Sequence, residues 1–117
     1  MKKKAFTLIE LLVVIAIIGI LITVGSVSYL RAIRLSRDSK RKTDLEQIRQ
    51  ALETYRSENG TYPADTSLLV SDYITALPTG PKNDTYDYTG TTTTYSLCAS
   101  LETIQTPATC NYIVTNP

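Results

Sequence analysis

KKKAFTLIELLVVIAIIGIL, residues 2–21, sets the terms for the whole chain. Three lysines lead into an apolar run, and from Phe6 to Val24 fifteen of nineteen residues are apolar. As a helix, a run of that length rises about 28 Å at about 1.5 Å per residue, close to the hydrocarbon thickness of a bilayer. It is long enough to span a membrane. Glu10 stands near its start with no basic residue beside it. A secretory signal peptide is the competing reading, with Lys2, Lys3 and Lys4 as its charged region and a cut near Gly25, Ser26 or Ser28. The run exceeds the usual apolar core of such a peptide, about 7–15 residues, and a carboxylate is foreign to that core. These features favour a retained helix over 6–24.

The chain has 117 residues, room for one small domain beyond the apolar run and too few for a large enzyme. Its net charge of +1 conceals an asymmetry: residues 1–57 carry 11 of the 12 Lys and Arg against 5 acids, whereas residues 58–117 carry Lys82 against 6 acids. Basic residues flank the span on both sides, Lys2 to Lys4 before it and Arg31, Arg34 and Arg37 after it, so charge bias leaves its orientation open. There is no His and there are two cysteines, Cys98 and Cys110. A metal site of the His/Cys type, a nucleophile–base pair and a phosphate-binding glycine loop are all unexpected, and with them catalysis and any cofactor.

Beyond the span no helix breaker occurs before Asn59-Gly60, so the pattern predicts one helix over 6–57, about 78 Å long at about 1.5 Å per residue. Half of it is expected to project beyond the small domain it serves. Leu45, Ile48, Leu52 and Tyr55, spaced by 3 or 4, predict a stripe buried against the C-terminal domain. Glu46, Arg49, Glu53 and Arg56 on the other face are spaced for weak ion pairs. Between span and stripe, RAIRLSRDSKRKTD (31–44) is basic with no apolar face after Leu35. It reads as a solvated stalk whose charges meet acids on neighbouring subunits. An anionic-lipid or nucleic-acid surface is the alternative, but nucleic acid is disfavoured because no aromatic platform for bases accompanies the charges.

ENGTYP (58–63) predicts the helix end, with Gly60 as a left-handed cap and Pro63 as a stop. Asp65 is placed to cap a short turn holding Leu68, Leu69 and Val70. PTGPKND (78–84) reads as loop, and TYDYT, TTYSLCASL and CNYIV (85–89, 93–101, 110–114) as three short antiparallel strands. The fold class is α+β: a long N-terminal helix packed on a small C-terminal sheet, with the 58–117 head needing the helix stripe as its second layer. Cys98 and Cys110 fall on or beside the last two strands. Without CxxC spacing or His, a disulfide formed outside the membrane is favoured over two buried thiols; in the chain-entropy model it stabilises by about 3 kcal/mol. Asp84 and Asp87 read as solvated turn acids, and Thr91–Thr94 as β-prone residues with no need of attached sugar.

Lys2 to Leu12, KKKAFTLIELL, resembles the class III leader and N-methylation motif of type IV prepilins and type II secretion pseudopilins. ENGTYP and Ala76-Leu77-Pro78 resemble the helix-to-head junction of major pseudopilins and related pilins. The resemblance implies a leader, residues 1–5, removed on the cytoplasmic side by a prepilin peptidase at Ala5–Phe6, with methylation of the new amine on Phe6. The family more often has Gly in the place of Ala5. It commonly has Pro near Val27, and the lack of one here predicts a straighter helix.

In the family, the partner of a carboxylate placed like Glu10 is the N-terminal amine of the adjacent subunit. Carried over, Glu10 pairs with a neighbour's Phe6, and identical subunits polymerise into a helical filament on an inner-membrane assembly platform. The subunit would first cross the cytoplasmic membrane once, N-terminus inside, and later stand in a cell-envelope or extracellular filament. The resemblance offers two roles, a surface pilus and the major pseudopilin of a type II secretion or DNA-uptake machine. A family calcium loop near Asp84 and Asp87 is not expected, because its Asp-Pro-Trp pattern is missing. Major pseudopilins usually lack a disulfide whereas many pilins have one near the C-terminus, which tilts toward the pilus. A single-pass anchored binding domain that never polymerises is the competitor of another class, and it has no use for Glu10.

Overall fold

Thr7 stands immediately before a long run free of helix breakers, and the helix starts directly after it. In a computed structural model that describes residues 5–104 and 109–116, α1 runs Leu8–Asn59, two residues later at each end than the 6–57 read from sequence. Gly60 sets the far limit: at φ 77° its N–H reaches the carbonyl of Arg56 at 2.8 Å, the left-handed cap that a Cβ disfavours. Gly19 and Gly25 lie inside α1, which continues through both as helix. The chain divides into two units within α1, Met1–Ile33 and Arg34–Pro117.

In the second unit, Asp65 Oδ1 accepts the N–H of Ser67 at 2.7 Å and caps a 3-10 turn, Thr66–Leu69. Three strands follow: β1 (Asp87–Gly90), β2 (Tyr95–Ala99) and β3 (Tyr112–Thr115). They form an antiparallel sheet in the order β1-β2-β3, with Tyr88 opposite Leu97 and Leu97 opposite Val114. Alternation along β2 sends Tyr95, Leu97 and Ala99 to one face, where they join Leu45, Ile48, Ala51 and Leu52 of α1, with Tyr62 and Leu69, in a single apolar cluster. The helix stripe is thus the second layer that so small a sheet requires. Tyr55 packs at the edge of this cluster, edge-on to Tyr73. Gly90 is needed where it stands, since a Cβ there would fall 2.7 Å from the carbonyl oxygen of Pro63.

Residues 37–44 depart from the solvated stalk read from sequence. Asp38, Arg41 and Asp44 are buried, at 2%, 3% and 3% exposure, and their partners lie in the chain's own head and on adjacent turns of α1. Arg41 donates to Asp38 Oδ1 at 2.9 Å, to Asp84 Oδ2 at 2.6 Å and to Glu102 Oε1 at 3.1 Å. Glu102 also pairs with Arg37 and Lys82. Asp44 accepts from Lys40 and, at 2.6 Å, from the hydroxyl of Tyr86. Among the described residues every buried side-chain nitrogen and oxygen has a hydrogen-bond partner, the condition under which buried charge is tolerated. The other polar face is also rearranged. Arg49 meets Glu46 at 3.5 Å, whereas Glu53 and Arg56 are both bonded to the hydroxyl of Tyr62.

Candidate functional site

A helix leaves its first four N–H groups without internal partners, and at α1 a pair of side chains answers two of them. Thr7 Oγ1 lies 3.4 Å from the N–H of Glu10. In return the Glu10 carboxylate accepts the Thr7 N–H at 3.0 Å and the Thr7 hydroxyl at 2.7 Å. This reciprocal arrangement is a capping box, and its signature, Thr-x-x-Glu ahead of an apolar run, was available in TLIE. Sequence reasoning that treated Glu10 only as an intruder in the span missed it. Both bonds fall on Oε2. Among the described residues no donor is bonded to Oε1.

Ala5, Phe6 and Thr7 precede the helix in non-helical backbone and are exposed, and Phe6 shows 83% of its surface. The Ala5–Phe6 peptide therefore lies outside the α1 ladder. Lys2, Lys3 and Lys4 lie outside the described residues.

From Leu8 to Leu30 every side chain of α1 is exposed, and Glu10 is the only charged one. None of this stretch is buried, and the helix is long and apolar enough to cross a membrane. Two of its hydroxyls are bonded internally: Thr23 donates to the carbonyl of Gly19 and Ser26 to that of Ile22, both at 2.8 Å. Such back-bonding lets polar residues sit in hydrocarbon without an orphaned donor. An uncovered apolar helix is stable only against lipid or against other helices.

Cys98 and Cys110 are joined in a disulfide with their Cα atoms 5.6 Å apart. Asp84, read from sequence as a solvated turn acid, is instead the partner of Arg41, whose Nε and terminal nitrogen both reach its Oδ2. Among the described residues no cluster of three or more His, Cys, Asp or Glu could hold a metal ion.

Residues 1–26 match the family model of the prokaryotic N-terminal methylation motif. The chain is 36% identical over 61 residues to the type IV major pilin protein PilA of Myxococcus xanthus (strain DK1622), covering 52% of this chain and 28% of PilA. It is 31% identical over 85 residues to the type II secretion system core protein G of Vibrio cholerae, covering 73% of this chain and 57% of that protein. It is 44% identical over 52 residues to the type IV major fimbrial protein FimA of Dichelobacter nodosus, covering 44% and 33%. In each case the match spans less than two thirds of the relative's own length. No solved structure matches the chain significantly.

Proposed function

From the methylation-motif match over residues 1–26 and the likeness to type IV pilins and core protein G, we propose that this chain is a member of the type IV pilin and type II secretion pseudopilin family and the structural subunit of a type IV pilus-like filament, without catalytic activity of its own. It is inserted in the cytoplasmic membrane with its N-terminus inside, cut at Ala5–Phe6 and methylated at Phe6 by a prepilin peptidase. On an inner-membrane assembly platform it then joins identical subunits through α1. The observation that carries this reading is Glu10, the one charge in the stretch of α1 from Leu8 to Leu30, whose apolar surface is bare. A carboxylate in a bilayer costs about 2.5–3.5 kcal/mol at the centre and less near the interface, so it calls for a cationic partner. Cleavage after Ala5 creates such a partner on Phe6. A second copy, displaced along the helix axis, brings its Phe6 amine to Glu10, and the two desolvated charges satisfy each other.

A role as the major pseudopilin of a secretion or DNA-uptake machine is the second reading. It is favoured by the match to core protein G, because 85 aligned residues exceed the 59 that end with α1 and must include part of the head. The Cys98–Cys110 bond weighs for the surface pilus. Intact-mass measurement of the protein purified from its own cells tests the processing that both roles need. The expected mass lacks residues 1–5 and carries one added methyl on Phe6. A mature chain beginning near Tyr29 would establish the secretory signal peptide instead.

A further inference from the structure

Leu101, Glu102 and Thr103 are held between two anchors. On one side lies Asp38 of α1, whose carboxylate accepts the N–H of Glu102 at 2.8 Å and the N–H and hydroxyl of Thr103 at 2.8 and 2.7 Å. These are three of its four bonds; the other comes from Arg41. On the other side lies Asn111, which accepts the N–H of Leu101 at 2.6 Å and donates to its carbonyl at 2.9 Å. Asn111 directly follows Cys110, and Cys110 is bonded to Cys98 at the end of β2. The backbone pairing of β2 with β3 stops at Ala99 and Tyr112. Beyond that point, closure of the segment depends on side chains and on the disulfide.

We propose that the Cys98–Cys110 bond is a redox gate on the docking of residues 37–44 of α1 against the head. Closing the bond takes two protons and two electrons from the two thiols and passes them to a disulfide donor, which becomes a dithiol. With the bond closed, residues 101–103 are held where they satisfy Asp38, and Glu102 is placed to accept from Arg41 and to pair with Arg37 and Lys82. With the bond open, Asp38 keeps Arg41 alone, and Arg41 keeps Asp38 and Asp84. A buried charge with so few partners is not held in the interior. Residues 37–44 then leave the head surface, while the apolar cluster around Leu45, Ile48 and Leu52 retains Tyr95 and Leu97. A reduced chain presents Arg37 and Arg41 without Glu102 of the head; an oxidised one does not. The gate holds whether or not the subunit polymerises.

Hydrogen exchange on the full chain in detergent micelles at neutral pH tests this, comparing the oxidised protein with protein reduced by dithiothreitol, which is itself oxidised to its cyclic disulfide. Reduction should speed exchange by about tenfold or more at 37–44 and 101–104, with 45–55 changed by no more than about twofold. Asp38→Asn with the disulfide intact should loosen the same two segments, and reduction should then add little, the non-additivity of a coupled pair. Unchanged protection of 37–44 on reduction would overturn the proposal. So would equal loosening by reduction in wild type and Asp38→Asn, or collapse of protection at 45–55, which would make the bond a support for the whole core. The double variant Cys98→Ser/Cys110→Ser, read the same way, must reproduce the reduced wild type.

Discussion

Asp38 accepts both the backbone N–H and the hydroxyl of Thr103, at 2.8 and 2.7 Å, although 65 residues separate them. The same carboxylate takes Arg41 from one helical turn away, so one buried oxygen pair joins α1 to the end of the head. Such a pair is dangerous to halve. Removing one partner of a buried, hydrogen-bonded ion pair costs about 3–5 kcal/mol, whereas exposed pairs are worth about 0–1 kcal/mol. Arg41→Ala and Asp38→Ala should each destabilise the head within that larger range. Arg34→Ala, at an exposed position, should stay within about 0.5 kcal/mol of wild type. Denaturant unfolding of the detergent-solubilised chain, followed by tyrosine circular dichroism, separates the two classes.

The pH dependence has a definite sign. Burial pushes the Asp38 carboxyl up, but the Thr103 hydroxyl, the N–H groups of Glu102 and Thr103 and the Arg41 guanidinium outweigh it and hold it below the ordinary value. Glu102 is likewise lowered, burial being outweighed by Lys82, Arg41 and Arg37. Groups depressed in the folded state contribute stability above their unfolded values, about 3.9 for Asp and 4.3 for Glu, and that contribution is lost as pH falls through the folded values. The unfolding midpoint should therefore hold between about pH 7 and 5 and drop below about pH 4. In Asp38→Asn the drop should be shallower. A wild-type midpoint unchanged down to about pH 3 would contradict the assignment.

At alkaline pH the tyrosines provide a second titration. Tyr88 and Tyr95 are each pushed up to about 12, chiefly by burial, with Tyr62 adding at Tyr88 and Glu53 at Tyr95, and Tyr86 is raised by burial and by its bond to Asp44. A raised phenol contributes stability below its unfolded value, about 10, that is lost as pH rises through the folded one. Ultraviolet titration should show these three ionising well above the ordinary phenol value of about 10, together with loss of the head's fold.

The Thr7–Glu10 box predicts a local effect at the start of α1. Thr7→Ala removes the hydroxyl that serves both partners and should cost about 1 kcal/mol, within the range for helix caps. Thr7→Ser should be nearly silent. Amide exchange over Leu8–Leu12 in micelles reads the difference, with faster fraying in the alanine variant alone.

Much of the fold was legible because its signals are local. The apolar run, the stripe Leu45–Ile48–Leu52, Gly60 as a left-handed cap and Asp65 as an N-cap each rest on a few neighbouring residues, and all four appear in the structure. The three strands fell inside or within one residue of the segments that β-branched and aromatic clustering marked. Residues 31–44 misled for the opposite reason. Nothing in RDSKRK distinguishes a solvated helix face from a buried one, since the acids and hydroxyls that neutralise it come from Asp84, Tyr86, Glu102 and Thr103, 43 or more residues away in most cases. The role of Glu10 was half legible. Its conflict with the span is plain from composition, while its bond to Thr7 rests on the capping signature Thr-x-x-Glu, a separate signal in the same residues.

That partner is the centre of the account, and Glu10→Gln isolates it. The amide keeps the size of the side chain and an oxygen to accept from Thr7, while removing the charge that a neighbour's Phe6 amine requires. Counting surface filaments by electron microscopy beside the membrane-fraction level of the subunit measures assembly separately from insertion. Filaments should be lost, with the subunit present in the membrane at wild-type level or above, because an intramembrane charge has been removed. Normal filaments at normal subunit levels would contradict it.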